Sequence, residues 1–267
     1  GFGVLSYFCQ AWQLPAEDAQ DIRTRPSSGQ IKIVCLCLSR MANFDDLDPL
    51  VHEDNVQLVM LRAGQAIPGD ADLVLIPGSK STRGDLAFLR AQGWDIDLQA
   101  HRRRGGHILG LCGGYQMLGE VITDPEGLDG LPGECEGLGL LKVTTTMDAQ
   151  KTLREVTAQH SKTGLTLKGY EIHLGNTNGP DCQRPFAFIG QKRDRRPDGA
   201  CSEDGHVQGS YLHGLFCEDD FRRAFLTRLG APVSSLSFEK TVDDVLDQLA
   251  DHIEQQLDVD AILACAR

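Results

Sequence analysis

Four short apolar runs constrain this chain more than any other feature. They are "IKIVCLCL" (31–38), "NVQLVML" (55–61), "DLVLIPG" (72–78) and "GGHILGLCGG" (105–114). Each is rich in aliphatic residues and too uniformly apolar to keep one face in water. Such runs read as strands covered on both sides, as in a parallel sheet. Parallel neighbours need long crossovers, and helical patterns lie where crossovers belong. "STRGDLAFLRAQG" (81–93) has Ser81 or Thr82 as a cap and Gly93 as a stop. "WDIDLQAHRRRGG" (94–106) is apolar at Trp94, Ile96 and Leu98 and turns basic at its end, which complements a helix dipole. The spacing predicts βαβ units, an α/β class and a mainly parallel central sheet.

The second half has a different pattern. "GLGLLKVTTTM" (137–147), "LREVTAQH" (153–160), "GLTLKGYEIH" (164–173) and "FAFIGQ" (186–191) are short, closely spaced and Thr-rich. They predict additional antiparallel strands. "QKRDRRPDGACSEDGHV" (191–207) reads as a polar, solvated loop. Residues 218–229 and 243–257 carry apolar positions at helical spacing, with Phe221, Phe225 and Leu229 as core contacts. Near the start, Pro26, Ser27, Ser28 and Gly29 read as a linker.

Composition excludes some partners. With 26 basic and 38 acidic residues the formal net charge is −12. A chain this acidic lacks the basic surface that binds nucleic acid or anionic membrane without sequence preference. It shows no apolar run of about 20 residues, the length that spans a bilayer, and no secretory signal. Its nine Cys are odd in number, with no C-x-x-C. Cys35 and Cys37 share a strand face and read as buried thiols rather than metal ligands. No metal site is expected, and free thiols point to a cytoplasmic location.

The chemistry concentrates in "ILGLCGGYQMLGE" (108–120). Gly110-Leu111-Cys112-Gly113-Gly114 fits G-x-nucleophile-x-G, where a strand turns sharply into a helix and small neighbours are needed. Cys112 is the candidate nucleophile. The Gly113 amide is a candidate oxyanion donor, with the backbone of Gly78 and Ser79 in "LIPGSKST" (75–82) supplying a second. That loop is not a phosphate loop, because Ser79 stands where Gly must precede the Lys. A Cys nucleophile needs a base, and the fold can bring one from a distant part of the sequence. His213 in "GSYLHGLF" is the first candidate and His173 the second, while His160 and His252 have no distinguishing context. Tyr115, Gln116, Glu171 and His173 are candidates to line a substrate pocket.

These segments resemble class I (triad-type) glutamine amidotransferases, in the branch that amidates cobalamin precursors. "LGLCGGYQMLGE" is similar to the nucleophile motif. "LSRMANFDDLDPL" (38–50) is similar to a P-R-I-S-N-x-T-D-F-D-P-L stretch of that branch, and "GYEIHLGNT" and "GSYLHGLF" follow in family order. The resemblance implies a three-layer flavodoxin-like fold over residues 31–267. It implies that residues 1–30 are the remnant of an ATP-dependent synthetase domain and a linker. It implies Cys112 as nucleophile and His213 as general base and acid, with glutamine hydrolysed through a thioester. The ammonia would amidate peripheral carboxylates of adenosylcobyrinic acid a,c-diamide. ATP and Mg²⁺ would be used by a synthetase domain or subunit, which would also hold the corrin; no cofactor is expected in this domain. Many triad members carry Glu two residues after the His, but here that residue is Leu215. The orienting group of His213 therefore stays open. Two alternatives also stay open: a stand-alone subunit amidating cell-wall precursors, and a non-catalytic glutamine-sensing domain.

Overall fold

A computed structural model describes residues 2–15, 30–150, 152–190 and 194–266. The linker at residues 26–29 lies outside them. Six strands form the central sheet: β1 (Ile31–Leu36), β3 (Val56–Leu61), β4 (Leu73–Ile76), β6 (His107–Leu111), β15 (Ala200–Cys201) and β16 (Val207–Ser210). Their spatial order is β15-β16-β6-β4-β1-β3, and only the β15–β16 pair is antiparallel. The four apolar runs are thus neighbours in one sheet.

Period-two alternation along these strands builds three layers. Ile33 and Cys35 pack on one face with Leu47, Leu50, Phe221 and Phe225. Val34 and Leu36 pack on the other with Leu86, Leu89, Trp94 and Leu98. Burying one such aliphatic or aromatic side chain stabilises by about 1.5–3 kcal/mol. The first face carries α1 (Asp48–Val51) and α5 (Asp219–Arg228). The second carries α2 (Thr82–Ala91), α3 (Trp94–Arg103) and α4 (Gly113–Leu118).

The additional strands make smaller sheets beside this frame. β10 (Thr152–His160) and β11 (Thr166–His173) form a long antiparallel pair, flanked by β13 (Ala187–Ile189), β14 (Arg196–Asp198) and β17 (Leu212–His213). β7 (Val121–Asp124), β8 (Gly133–Glu136), β9 (Thr144–Thr146) and β12 (Asn176–Asn178) form a second group. β2 (Met41–Ala42) pairs antiparallel with β5 (Gly78–Ser79).

Three expectations are corrected. The segment read as a solvated loop at 191–207 contains β14 and β15, because Phe188 pairs with Pro197 and Ala200 with Gly209. The last long helix, α6 (Phe238–Gln256), begins five residues before 243, with Phe238 buried. A short α7 (Val259–Cys265) follows it. Cys37 lies one residue beyond β1 and is only half-buried. Residues 2–15 meet the C-terminal helices: Asp258 N, at the start of α7, donates to Phe2 O at 2.8 Å, and Phe8 meets the His252 ring on α6. Among the described residues no helix is long and apolar enough to cross a membrane.

Candidate active site

β6 delivers Cys112 to the carboxyl end of the central sheet, where α/β folds build their sites. Cys112 adopts φ 51°, ψ −109°, a conformation that costs about 1–3 kcal/mol for a non-glycine residue and marks functional turns. Its neighbours must be glycine for steric reasons. A Cβ on Gly114 would lie 2.0 Å from Ile76 O, and one on Gly110 would lie 2.6 Å from Gly114 O. The Cys112 amide donates to Ser210 O at 2.8 Å, fixing the turn to β16. The thiol donates to Ile172 O at 3.3 Å.

β17 brings His213 to this sulfur. The imidazole is fully buried. Its Nδ1 donates to Asp46 Oδ2 at 2.7 Å, and Asp46 Oδ1 accepts from Gly214 N at 2.6 Å. That acceptor places the proton on Nδ1 and leaves Nε2 free to take one. Nε2 has no regular hydrogen bond, although the Cys112 sulfur interacts with the ring. Burial pushes the His213 pKa down, but Asp46 outweighs it by charge and hydrogen bond. The Cys112 sulfur adds to that effect, and the pKa is held up at about 10.

Asp46 is the carboxylate that the sequence reading left unidentified. It stands 167 residues upstream, on the 3₁₀ turn Phe44–Leu47. Leu215, at the position where many triad members have Glu, is fully buried in the apolar layer. The signal for Asp46 was present in "NFDDLDPL", but as a family likeness without a role for any one Asp.

The candidate oxyanion segments adjoin this pair. A Cβ on Gly113 would lie 3.1 Å from Ser79 N, and one on Gly78 would lie 3.2 Å from His213 Cε1. The Gly78–Ser79 backbone is fixed by its pairing with β2 and by Asp85, which is fully buried on α2. Asp85 accepts from Ser79 Oγ at 2.6 Å, Ser39 Oγ at 2.5 Å and Arg40 N at 3.1 Å. A carboxylate bonded to Ser79 makes this loop a poor cradle for ATP phosphates. Among the described residues no group of three or more His, Cys, Asp or Glu is placed to hold a metal ion.

Three of the four pocket candidates, Tyr115, Gln116 and His173, surround Tyr211, and Glu171 lies beyond His173. Tyr115 is buried edge-on to Tyr211, with its hydroxyl 3.7 Å from Cys182 Sγ. Gln116 is buried and fully bonded: Nε2 donates to Leu174 O and Tyr211 OH, and Oε1 accepts from Thr82 Oγ1. His173 stacks on Tyr211 with centroids 3.8 Å apart. Glu171 is fully buried and accepts from Arg154 Nε at 2.9 Å and from Arg196. Burial raises its pKa, but His173, Arg196 and Arg154 outweigh that and hold it near 2. Tyr211 and Asp46 are therefore the central residues of the region that sequence reasoning did not single out.

Residues 32–221 match the family described as the CobB/CobQ-like glutamine amidotransferase domain. The chain belongs to this family. Its relatives include the cobyric acid synthase of Bradyrhizobium diazoefficiens, 61% identical over all 267 residues and 55% of that protein's length. The cobyric acid synthase of Cereibacter sphaeroides strain ATCC 17025 is 58% identical over the same spans. That of Rhodobacter capsulatus strain ATCC BAA-309 is also 58% identical, again over all of this chain and 55% of the relative. The chain spans about half the length of the curated relatives it matches. Among solved structures, the amidotransferase domain resembles PurLQS from Thermotoga maritima, with a TM-score of 0.53 at 16% identity over 82% of this chain and 99% of that one. A second crystal structure of a glutamine amidotransferase gives 0.52 at 18% over 73% and 97%. These likenesses establish the class I amidotransferase fold: three layers, a mainly parallel central sheet, added antiparallel strands and C-terminal helices.

Proposed function

We propose that this domain hydrolyses glutamine and supplies ammonia for the amidation of corrin carboxylates. The observation that carries the reading is the His213–Asp46 pair beside Cys112 on a strained strand-to-helix turn. The raised His213 pKa favours a thiolate–imidazolium pair in which Nε2 already holds the Cys112 proton, and the sulfur of that pair attacks the glutamine carboxamide carbon. The negative oxygen is held by the backbone amides of Gly113 and the Gly78–Ser79 segment. The C–N bond then breaks, the imidazolium protonates the departing nitrogen, and ammonia leaves a thioester. Water, deprotonated by His213, cleaves the thioester to glutamate and restores the thiol. Asp46 holds His213 in the productive tautomer throughout. In this reading Tyr115, Gln116, Glu171 and His173 shape the wall behind the nucleophile.

The relatives are cobyric acid synthases, and the proposed whole reaction is theirs. The acceptor is adenosylcobyrinic acid a,c-diamide. ATP and Mg²⁺ act on a synthetase domain or subunit outside this chain, and residues 1–30 belong with that domain. The proposed setting is the cytoplasm. A diazo-ketone analogue of glutamine is expected to label Cys112, with labelling lost in Cys112→Ser; equal labelling of the Ser protein would refute the nucleophile. Mixed with the ATP-dependent remainder of the Bradyrhizobium relative, the chain is expected to support glutamine-dependent amidation of the diamide. Amidation that uses ammonium salts and ignores glutamine would refute the wider role.

A further inference from the structure

We propose that Tyr170 is a positioning residue for His213, held over the imidazole by the same turn that supplies Asp46. The inference rests on the reading of Cys112 and His213 as the reacting pair. Tyr170 on β11 lies directly opposite His213 on β17. Its ring stacks on the imidazole with centroids 5.2 Å apart and planes 19° apart. The close approach of the two strands depends on Gly169, where a Cβ would lie 1.8 Å from His213 O. His213 is fully buried while Tyr170 is half-buried, so the phenol ring covers one face of the imidazole.

The hydroxyl is tethered at both of its functions. It accepts from Asn43 Nδ2 at 2.9 Å and donates to Asp45 Oδ2 at 2.9 Å. Asn43 is one of only two described non-glycine residues with positive φ, at 54°, and the other is Cys112. Asn is among the residues that tolerate the left-handed region. The turn that begins at Asn43 therefore directs one side chain at the imidazole and two at the phenol stacked on it. Asp46 holds its Nδ1, while Asn43 and Asp45 hold the ring that covers its face.

This arrangement answers a need of the reaction. His213 takes a proton at Nε2 and must return it to the leaving nitrogen at the same place. One hydrogen bond at Nδ1 leaves the ring able to tilt about that bond. The stacked phenol blocks the tilt, and its electron-rich face favours the imidazolium over the neutral ring. Misplacing a reacting group by about 1 Å can cost roughly 10²-fold in rate.

Tyr170→Ala is expected to lower kcat for glutamine hydrolysis by about 10–10²-fold, with KM within about threefold. Tyr170→Phe keeps the stack and is expected to recover most of that loss. Asn43→Gly keeps the left-handed backbone and deletes the tether. It is expected to cost a few-fold, and the Asn43→Gly/Tyr170→Phe protein no more than Tyr170→Phe alone, because Phe already removes the hydroxyl to which Asn43 donates. The rate of Cys112 alkylation by iodoacetamide at pH 6.5 is expected to fall with kcat in Tyr170→Ala. Wild-type kcat in Tyr170→Ala, or a loss confined to KM, would overturn the proposal. If Tyr170→Ala does not fold, full additivity of Asn43→Gly and Tyr170→Phe overturns it. If the wild-type chain proves to have no glutaminase activity, the functional reading fails, and the alkylation rates still decide the inference.

Discussion

At His213 one nitrogen must stay protonated while the other exchanges a proton with sulfur. Asp46 enforces this division because its two oxygens accept from two fixed donors, His213 Nδ1 and Gly214 N. Asn at position 46 has one oxygen for two donors. Its amide would face either the Gly214 N–H or the imidazole nitrogen. In the second case the ring must carry its proton on Nε2, where it cannot receive the thiol proton. Asp46→Asn is therefore expected to lower kcat by about 10²–10⁴-fold with KM little changed. His213→Ala is expected to cost about 10²–10⁴-fold. Steady-state glutamate release measures both, and a loss below tenfold in Asp46→Asn would remove Asp46 from the proposed mechanism.

At the scale of elements, the turn from β6 into α4 depends on contacts between backbones. Gly114 packs against the carbonyl of Ile76 at the end of β4, so a methyl group there has no space without moving a strand. Gly114→Ala is expected to destabilise the chain by at least about 1–3 kcal/mol, the usual cost of overpacking a tight site. A denaturant melt with an unchanged midpoint would show that the turn does not need this contact. The same elements show what the sequence could reveal. The four buried strands and the Cys112 turn were legible because each is specified by its own residues: apolar runs, flanking glycines, a cap and a stop. β14 and β15 were not, because a charged stretch hides strands whose partners lie in Phe188 and Gly209. Asp46 and Tyr170 were not assigned roles, because their meaning exists only when β11, β17 and the Phe44–Leu47 turn meet. Leu215 sharpened the question without answering it, since burial in the apolar layer bars that position from supplying a carboxylate.

For the whole molecule, titrating groups in opposed environments predict a stability maximum at mildly acidic to neutral pH. His160 is packed edge-on against Phe186 and Phe221, and burial, then Arg228 and Lys162, push its pKa down to about 4. His107 stacks on His206 at 4.4 Å, and burial, then His206 and Arg228, push it to about 4. Both sit below the ordinary histidine value of about 6.5. Unfolding thus takes up protons between those values, so stability is fully present above pH 6.5 and is lost as pH falls toward 4. His160, only 5% exposed, contributes up to about 3 kcal/mol to that loss. Asp198 runs the other way, because burial raises its carboxyl to about 6, but it is one group against two. Below pH 4.5 Glu171 joins the loss, since its carboxylate is held near 2. His213 has the opposite sign. Its folded pKa of about 10 lies above the ordinary value, so its stabilisation is complete below pH 6.5 and is lost as pH rises toward 10. Thermal melts across pH 4.5–9.5 are therefore expected to give the highest Tm near pH 6.5. His160→Gln is expected to flatten the acid limb and leave the alkaline limb unchanged, and His213→Ala to do the reverse. A wild-type Tm that keeps rising from pH 6.5 to 9 would mean that the buried His213–Asp46 pair is not charged in the folded state, and the catalytic reading of that pair would fall with it.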